Sequence, residues 1–143
     1  MYYADLGTRC QIASGPHVRA VGWLSATVDY TRGDVSPEFR EKLQVLCAAW
    51  GLGLEQLWWP AAGGFHECEF CSVFRSSGNI GVPAGDVLFA APKMIFHYVD
   101  VHAYQPPAPF IEAVLKSPVP GTTEYGQMVA PFAQMHQRSW SAG

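Results

Sequence analysis

Two short pairs constrain this chain more than any other feature: Cys68-x2-Cys71, and then, 25 residues further on, His97-x4-His102. A Cys-x2-Cys turn brings two thiolates within reach of one ion, at about 2.3 Å from each sulfur. Two histidines five apart on a helix differ by about 140° in azimuth, so they converge when the last turn tightens. A Cys pair, an extended hairpin and a helix carrying a His pair follow one another in the order of a Cys2His2 zinc site. DNA-reading fingers place about 12 residues between the two pairs. The 25 found here predict a larger domain stapled by Zn2+ rather than an independent finger.

The competing reading makes Cys68 and Cys71 buried apolar thiols and the histidines ordinary hydrogen-bonding residues. His66 is a rival ligand, because residues two apart on a strand point the same way and His66 shares its side with Cys68. It either replaces a helical histidine or donates a hydrogen bond to a ligating sulfur. Glu67 and Glu69 alternate to the opposite side, away from the ion. His17 and His136 are isolated and read as surface residues, and Cys47, on the apolar face of a helix, reads as an inert thiol.

Length allows one domain, taken as residues 1–143 with a metal-binding core over about residues 64–117. Charged residues are 15% of the chain against a usual ~25%, and 8 Phe, 6 Tyr and 5 Trp stand in their place, which excludes a disordered tail. The net charge of −3 with no basic run argues against a general nucleic-acid binder. No run approaches the roughly eighteen apolar residues of a membrane span. The start, Met1-Tyr2-Tyr3-Ala4-Asp5, lacks the pattern of a signal peptide, so the four cysteines are expected as thiols in the cytoplasm.

The first clear helix starts at Ser36-Pro37, an N-cap followed by a tolerated proline. Phe39, Leu43, Leu46, Cys47 and Trp50 form its apolar face, and Gly51 is a natural stop. Val18–Leu24 is a strand candidate. Trp58 and Trp59 read as core or as an interaction surface. From Phe65 the pattern is extended, with a turn at Ser76-Ser77-Gly78-Asn79 and a hairpin from Asn79–Pro83 and Asp86–Ala90 about Ala84-Gly85. A second helix is predicted from Pro92 to about Ala103 and a third from about Pro107 to Pro118. A short helix near Met128–Met135 and a frayed tail from Gln137 complete the chain. The fold class is α+β, a small domain with a short β-hairpin or sheet and about three helices.

Gly64-Phe65-His66-Glu67-Cys68-Glu69-Phe70-Cys71, and later His97-Tyr98-Val99 with His102, Tyr104 and Pro106-Pro107, resemble an uncharacterised bacterial family with a zinc-finger-like motif. Ser77-Gly78-Asn79-Ile80, Val82-Pro83, Phe89-Ala90-Ala91-Pro92 and Phe110–Leu115 belong to the same resemblance, which spans roughly residues 20–117. It implies the paired Cys and His positions and no mechanism.

Three functions of different class remain. A structural Cys2His2 zinc site in a binding or accessory module, with an unidentified protein partner, needs a closed coordination sphere. A zinc-dependent hydrolase needs an open site, a water and a base. Neither His-Glu-x-x-His nor the His-x-Glu of zinc deaminases occurs, and no Gly-x-Ser-x-Gly is found, so no catalytic residue is assigned. A nucleic-acid-reading finger would need Arg, Asn or Gln on the His97–His102 helix, which instead offers Lys93 and Asp100. The first reading is preferred.

Overall fold

A computed structural model describes the backbone of residues 2–49 and 66–142, and the side chains of 2–49 and 67–133. Trp50, Trp58, Trp59 and the 51–62 stretch lie outside the described residues. Among the described residues the chain is α+β, with four helices and a three-stranded sheet beside a small two-stranded hairpin.

The sheet has the order β1-β5-β4, with β5 (Val87–Pro92) in the centre. β1 (Val18–Ala20) runs parallel to it, Val18 opposite Leu88 and Ala20 opposite Ala90. β4 (Asn79–Ala84) runs antiparallel, from Asn79 opposite Pro92 to Ala84 opposite Val87. The β4–β5 turn is Gly85-Asp86, with Gly85 in the left-handed region that two-residue hairpin loops require. Pro83, which cannot donate to a ladder, sits on the edge strand β4.

Alternation along β5 gives the sheet two buried faces. Phe89 and Ala91, with Ile80 and Val82 of β4, meet Phe39, Leu43 and Leu46 of α1 (Pro37–Ala48) and Phe110, Ala113 and Val114 of α3 (Ala108–Lys116). Ala90, with Val18 and Ala20 of β1, packs against Cys10, Ile12 and Trp23, whose indole Nε1 donates to the Ala90 carbonyl at 3.0 Å. Leu88 packs with Tyr125, Val129 and Phe132 of α4 (Thr123–Ala142).

Ser36 caps α1 as its sequence predicts, its hydroxyl accepting from the Phe39 N–H at 3.1 Å. The helix ends at Ala48, short of Trp50 and Gly51, with Ala49 already extended. The second helix, α2 (Ile95–His102), starts three residues later than the proline predicts. Pro92 is still opposite Asn79 in the sheet, and the Lys93 N–H is held by the Gly78 carbonyl at 3.0 Å, so the backbone is committed to β structure there.

The C-terminal region differs most from expectation. In place of a short helix at 128–135 and a loose tail, one helix runs from Thr123 to Ala142 and passes through Pro131. Proline inside a helix costs about 3 kcal/mol. Burial of Tyr125, Val129 and Phe132, each worth about 1.5–3 kcal/mol, exceeds that cost. The Tyr125 hydroxyl also donates to the Gly81 carbonyl at 2.6 Å, covering part of the β4 edge.

Gly22, just past β1, adopts a φ of +79°, and a Cβ there would lie 2.7 Å from Cδ1 of the buried Ile95. Gly85 has a φ of +61° but open space around it. Gly22→Ala is therefore expected to cost about 2–4 kcal/mol, from the left-handed backbone plus overpacking. Gly85→Ala should cost only the backbone part, about 1–2 kcal/mol. Urea midpoints of the two variants check the difference, and equal losses would mean that the Ile95 contact does not matter.

Candidate metal centre

The two cysteines sit at the tip of a hairpin of their own. β2 (His66–Glu67) pairs antiparallel with β3 (Arg75–Ser76), His66 opposite Ser76 and Glu67 opposite Arg75. The Cys68 N–H donates to the Phe74 carbonyl at 2.9 Å and the Ser72 N–H to the Cys68 carbonyl at 2.8 Å, which closes the loop. Ser72 supplies the left-handed residue, φ +57°. The Cys-x2-Cys turn thus lies between these strands at 68–74, and the turn read at 76–79 falls at the break between β3 and β4, where Gly78 has a φ of +92°.

This loop is arranged around sulfur. The backbone N–H groups of Phe70 and Cys71 face the Cys68 sulfur, and those of Val73 and Phe74 face the Cys71 sulfur. N–H groups aimed at a sulfur favour its thiolate. At Cys71 these donors, Val73 foremost, hold the thiol below its ordinary range. At Cys68 burial prevails over its donors and raises the thiol, with the neighbouring Cys71 adding to the rise. A buried sulfur with two donors pointed at it, and an anion that burial alone disfavours, is a site prepared for a cation.

The histidines arrive from α2. His97 is buried within the helix, its ring stacked on Phe74 at 4.2 Å and 6°. His102 is the last helical residue, half-buried, with Phe70 at 5.3 Å. The helix stops there because Ala103 turns left-handed, φ +55°, and the Ala103 and Tyr104 N–H groups both close on the Tyr98 carbonyl. Despite the 140° step, the two imidazoles meet edge to face, 5.0 Å apart. Burial, and after it the neighbouring His102, keep His97 below the ordinary histidine range, in the neutral form that ligates metals.

Tyr30 fixes the end of α2. Its hydroxyl donates to the His102 carbonyl at 2.8 Å, and its ring packs on Phe70 at 5.2 Å and on Tyr104 at 6.0 Å. The buried Tyr104 in turn donates to the Asp5 carboxylate at 2.7 Å. No spacing in the sequence points to Tyr30 or Asp5, whereas Phe70 and Phe74 flank Cys71 and were open to inspection.

The four side chains converge. Cys68 Sγ lies 3.4 Å from His102 Nε2 and Cys71 Sγ lies 3.5 Å from His97 Nε2. One ligand atom from each residue lies within 4.8 Å of all the others. A tetrahedron with sulfurs at about 2.3 Å and nitrogens at about 2.0–2.1 Å has S···N edges of about 3.5 Å. The same separations suit S–H···N hydrogen bonds in the metal-free protein. The group is positioned to hold a metal ion.

Among the described residues, the other sequence candidates lie outside this group. The His66 side chain and that of His136 lie outside the described residues; the His66 backbone opens β2. His17 stacks on Phe132 at 6.2 Å. Glu69 accepts from the Ser25 hydroxyl and the Ala26 N–H, each at 3.3 Å. Cys10 and Cys47 are free, and burial pushes both thiols up, Cys47 to about 12.

Residues 1–115 match the profile of a domain of unknown function, DUF7919. The chain belongs to that family. All four converging residues fall inside the match, which ends within α3 and leaves α4 outside. It begins at residue 1, so the first nineteen residues, which the motif resemblance leaves out, are part of the DUF7919 domain. No curated protein and no solved structure matches the chain.

Ala103 is exposed, so Ala103→Gly removes one exposed methyl group and relieves the left-handed strain that closes α2. The expected result is a gain of about 0.5–1 kcal/mol and a Tm higher by about 2–3 °C. A lower Tm in thermal melts would contradict the assigned role of this cap.

Proposed function

We propose that this DUF7919 protein is a small zinc-binding module in which Cys68, Cys71, His97 and His102 together hold one Zn2+ in a closed, structural site. The observation that carries the reading is the pairing of each sulfur with one imidazole Nε2, at 3.4 and 3.5 Å. Two thiolates with two imidazoles in a tetrahedral arrangement favour zinc over the oxygen-loving divalent ions. Two thiolate charges balance those of Zn2+, so the site can be buried without a further counter-ion.

A structural role follows from the count of protein ligands, since four close the sphere and leave no exchangeable water. Two nearby carboxylates are engaged elsewhere, Glu69 with Ser25 and Ala26, and Asp100 with Arg40 at 3.7 Å. The α2 helix is a poor reader of nucleic acid, because Ile95, Tyr98 and Val99 are spent on the core. A binding or accessory module in a reducing compartment such as the cytoplasm is the role consistent with thiolate ligands.

In sites of this kind metal-binding energy is folding energy. Elemental analysis of the purified protein should give one zinc per chain, and His66→Ala should keep it. Cys68→Ser should lose the metal and melt lower or become insoluble. The wild-type protein in excess chelator should lose the tie between 66–76 and α2, read as faster amide exchange there. Full zinc content in Cys68→Ser, or an unchanged melt of wild-type protein in chelator, would overturn the reading.

A further inference from the structure

We infer that the Cys68–Cys71 pair is a peroxide-sensitive latch, whose oxidation to a disulfide releases the metal and frees the β2–β3 hairpin from α2. The inference rests on the zinc reading above and concerns the regulation of that site. Four observations carry it.

The two sulfurs are unequal in access. Cys71 is half-buried at the tip of a loop whose Ser72, Val73 and Phe74 are exposed, Val73 at 86%. Cys68 is fully buried. A small oxidant therefore meets Cys71 first, with Cys68 beneath it. The two sulfurs are also close, within the 4.8 Å that bounds the whole cluster. The 68–72 backbone hydrogen bond keeps the two residues in one tight turn, and residues three apart in a turn have Cα atoms within the range a disulfide spans. The loop needs no unfolding to close the bond.

The chemistry balances with hydrogen peroxide as the oxidant. The Cys71 thiolate attacks one peroxide oxygen, the O–O bond breaks, and the leaving hydroxide takes a proton to become water. The Cys68 thiolate then displaces the hydroxyl of the resulting sulfenic acid, which leaves with a second proton as another water, and the S–S bond forms. The two sulfurs give up two electrons and the peroxide accepts them.

The competing thiols are set apart. Cys10 is buried beneath the other face of the sheet, and Cys47 lies on α1 against Phe96 of α2, outside the cluster. Neither belongs to the group of four. Oxidation is thereby directed to the pair that holds the metal.

The consequence is mechanical. β2 and β3 pair through two residues each, too few to hold a hairpin unaided. With both thiolates consumed, only His97 and His102 of the set can still ligate, and what ties the hairpin to α2 among the described residues is the aromatic packing of Phe70 and Phe74.

The test uses zinc-loaded wild-type protein treated with hydrogen peroxide in the presence of a chromogenic zinc chelator. The expected result is release of the bound zinc at low peroxide excess, a Cys68–Cys71 disulfide in the peptide map, and a protein mass lower by about 2 Da. Cys10 and Cys47 should remain alkylatable after denaturation, and reductant with added zinc should restore the metal. Zinc retained under excess peroxide with four alkylatable cysteines would overturn the latch. So would release accompanied by sulfinic acids, or a disulfide involving Cys10 or Cys47. Protein that holds no zinc before peroxide is added would instead overturn the zinc reading itself.

Discussion

Two sulfurs and two imidazoles meet within 4.8 Å of one another, and the arrangement of this part of the molecule follows from that meeting. The cysteines come from a hairpin with two residues in each strand, the histidines from the end of an eight-residue helix. Neither element is long enough to order itself, because a two-stranded ribbon is marginal alone and a short helix pays its nucleation cost without recovering it. The helix is anchored by Ile95, Tyr98 and Val99 in the core, and the hairpin is fixed against the helix. Phe74 lies flat on His97, and Phe70 sits among Tyr30, Tyr98 and His102, so aromatic contacts join hairpin and helix around the four ligand atoms. A buried thiolate is costly unless a cation accompanies it, and this electrostatic demand gives the zinc reading its force.

The sheet stands on different physics. β5 is covered on one face by α1 and α3 and on the other by the N-terminal segment and α4, with apolar side chains alternating between the two. Its stability comes from burial of apolar side chains. The chain therefore joins a core held by the hydrophobic effect to a small hairpin whose Cys68, Phe70 and Cys71 reach that core. The two are joined at α2, whose Ile95, Tyr98 and Val99 belong to the core while His97 and His102 belong to the cluster.

Much of this was legible where a local rule governs. Ser36-Pro37 marks the start of α1, Gly85 marks the β4–β5 turn, and the spacing of the Cys and His pairs marks the cluster. Other parts were hidden for identifiable reasons. The Cys-x2-Cys spacing marks a turn, but the left-handed residue that closes it is Ser72 rather than a Gly or Asn, because N–H groups directed at sulfur shape the loop. Pro92 reads as a helix start, yet its place opposite Asn79 in the sheet delays α2 to Ile95. Pro131 reads as a breaker, yet the Tyr125, Val129 and Phe132 stripe carries α4 through it. The bonds from Tyr30 to His102 and from Tyr104 to Asp5 cross 72 and 99 residues, and no local pattern encodes contacts of that separation.

X-ray absorption at the zinc edge of the purified protein tests the central claim most directly, because it counts the atoms around the ion without a crystal. The account predicts two sulfur neighbours at about 2.3 Å and two imidazole nitrogens at about 2.0–2.1 Å, with the outer scattering of histidine rings and no further oxygen. A spectrum with fewer than two sulfurs, or with an oxygen in place of one imidazole, would contradict it.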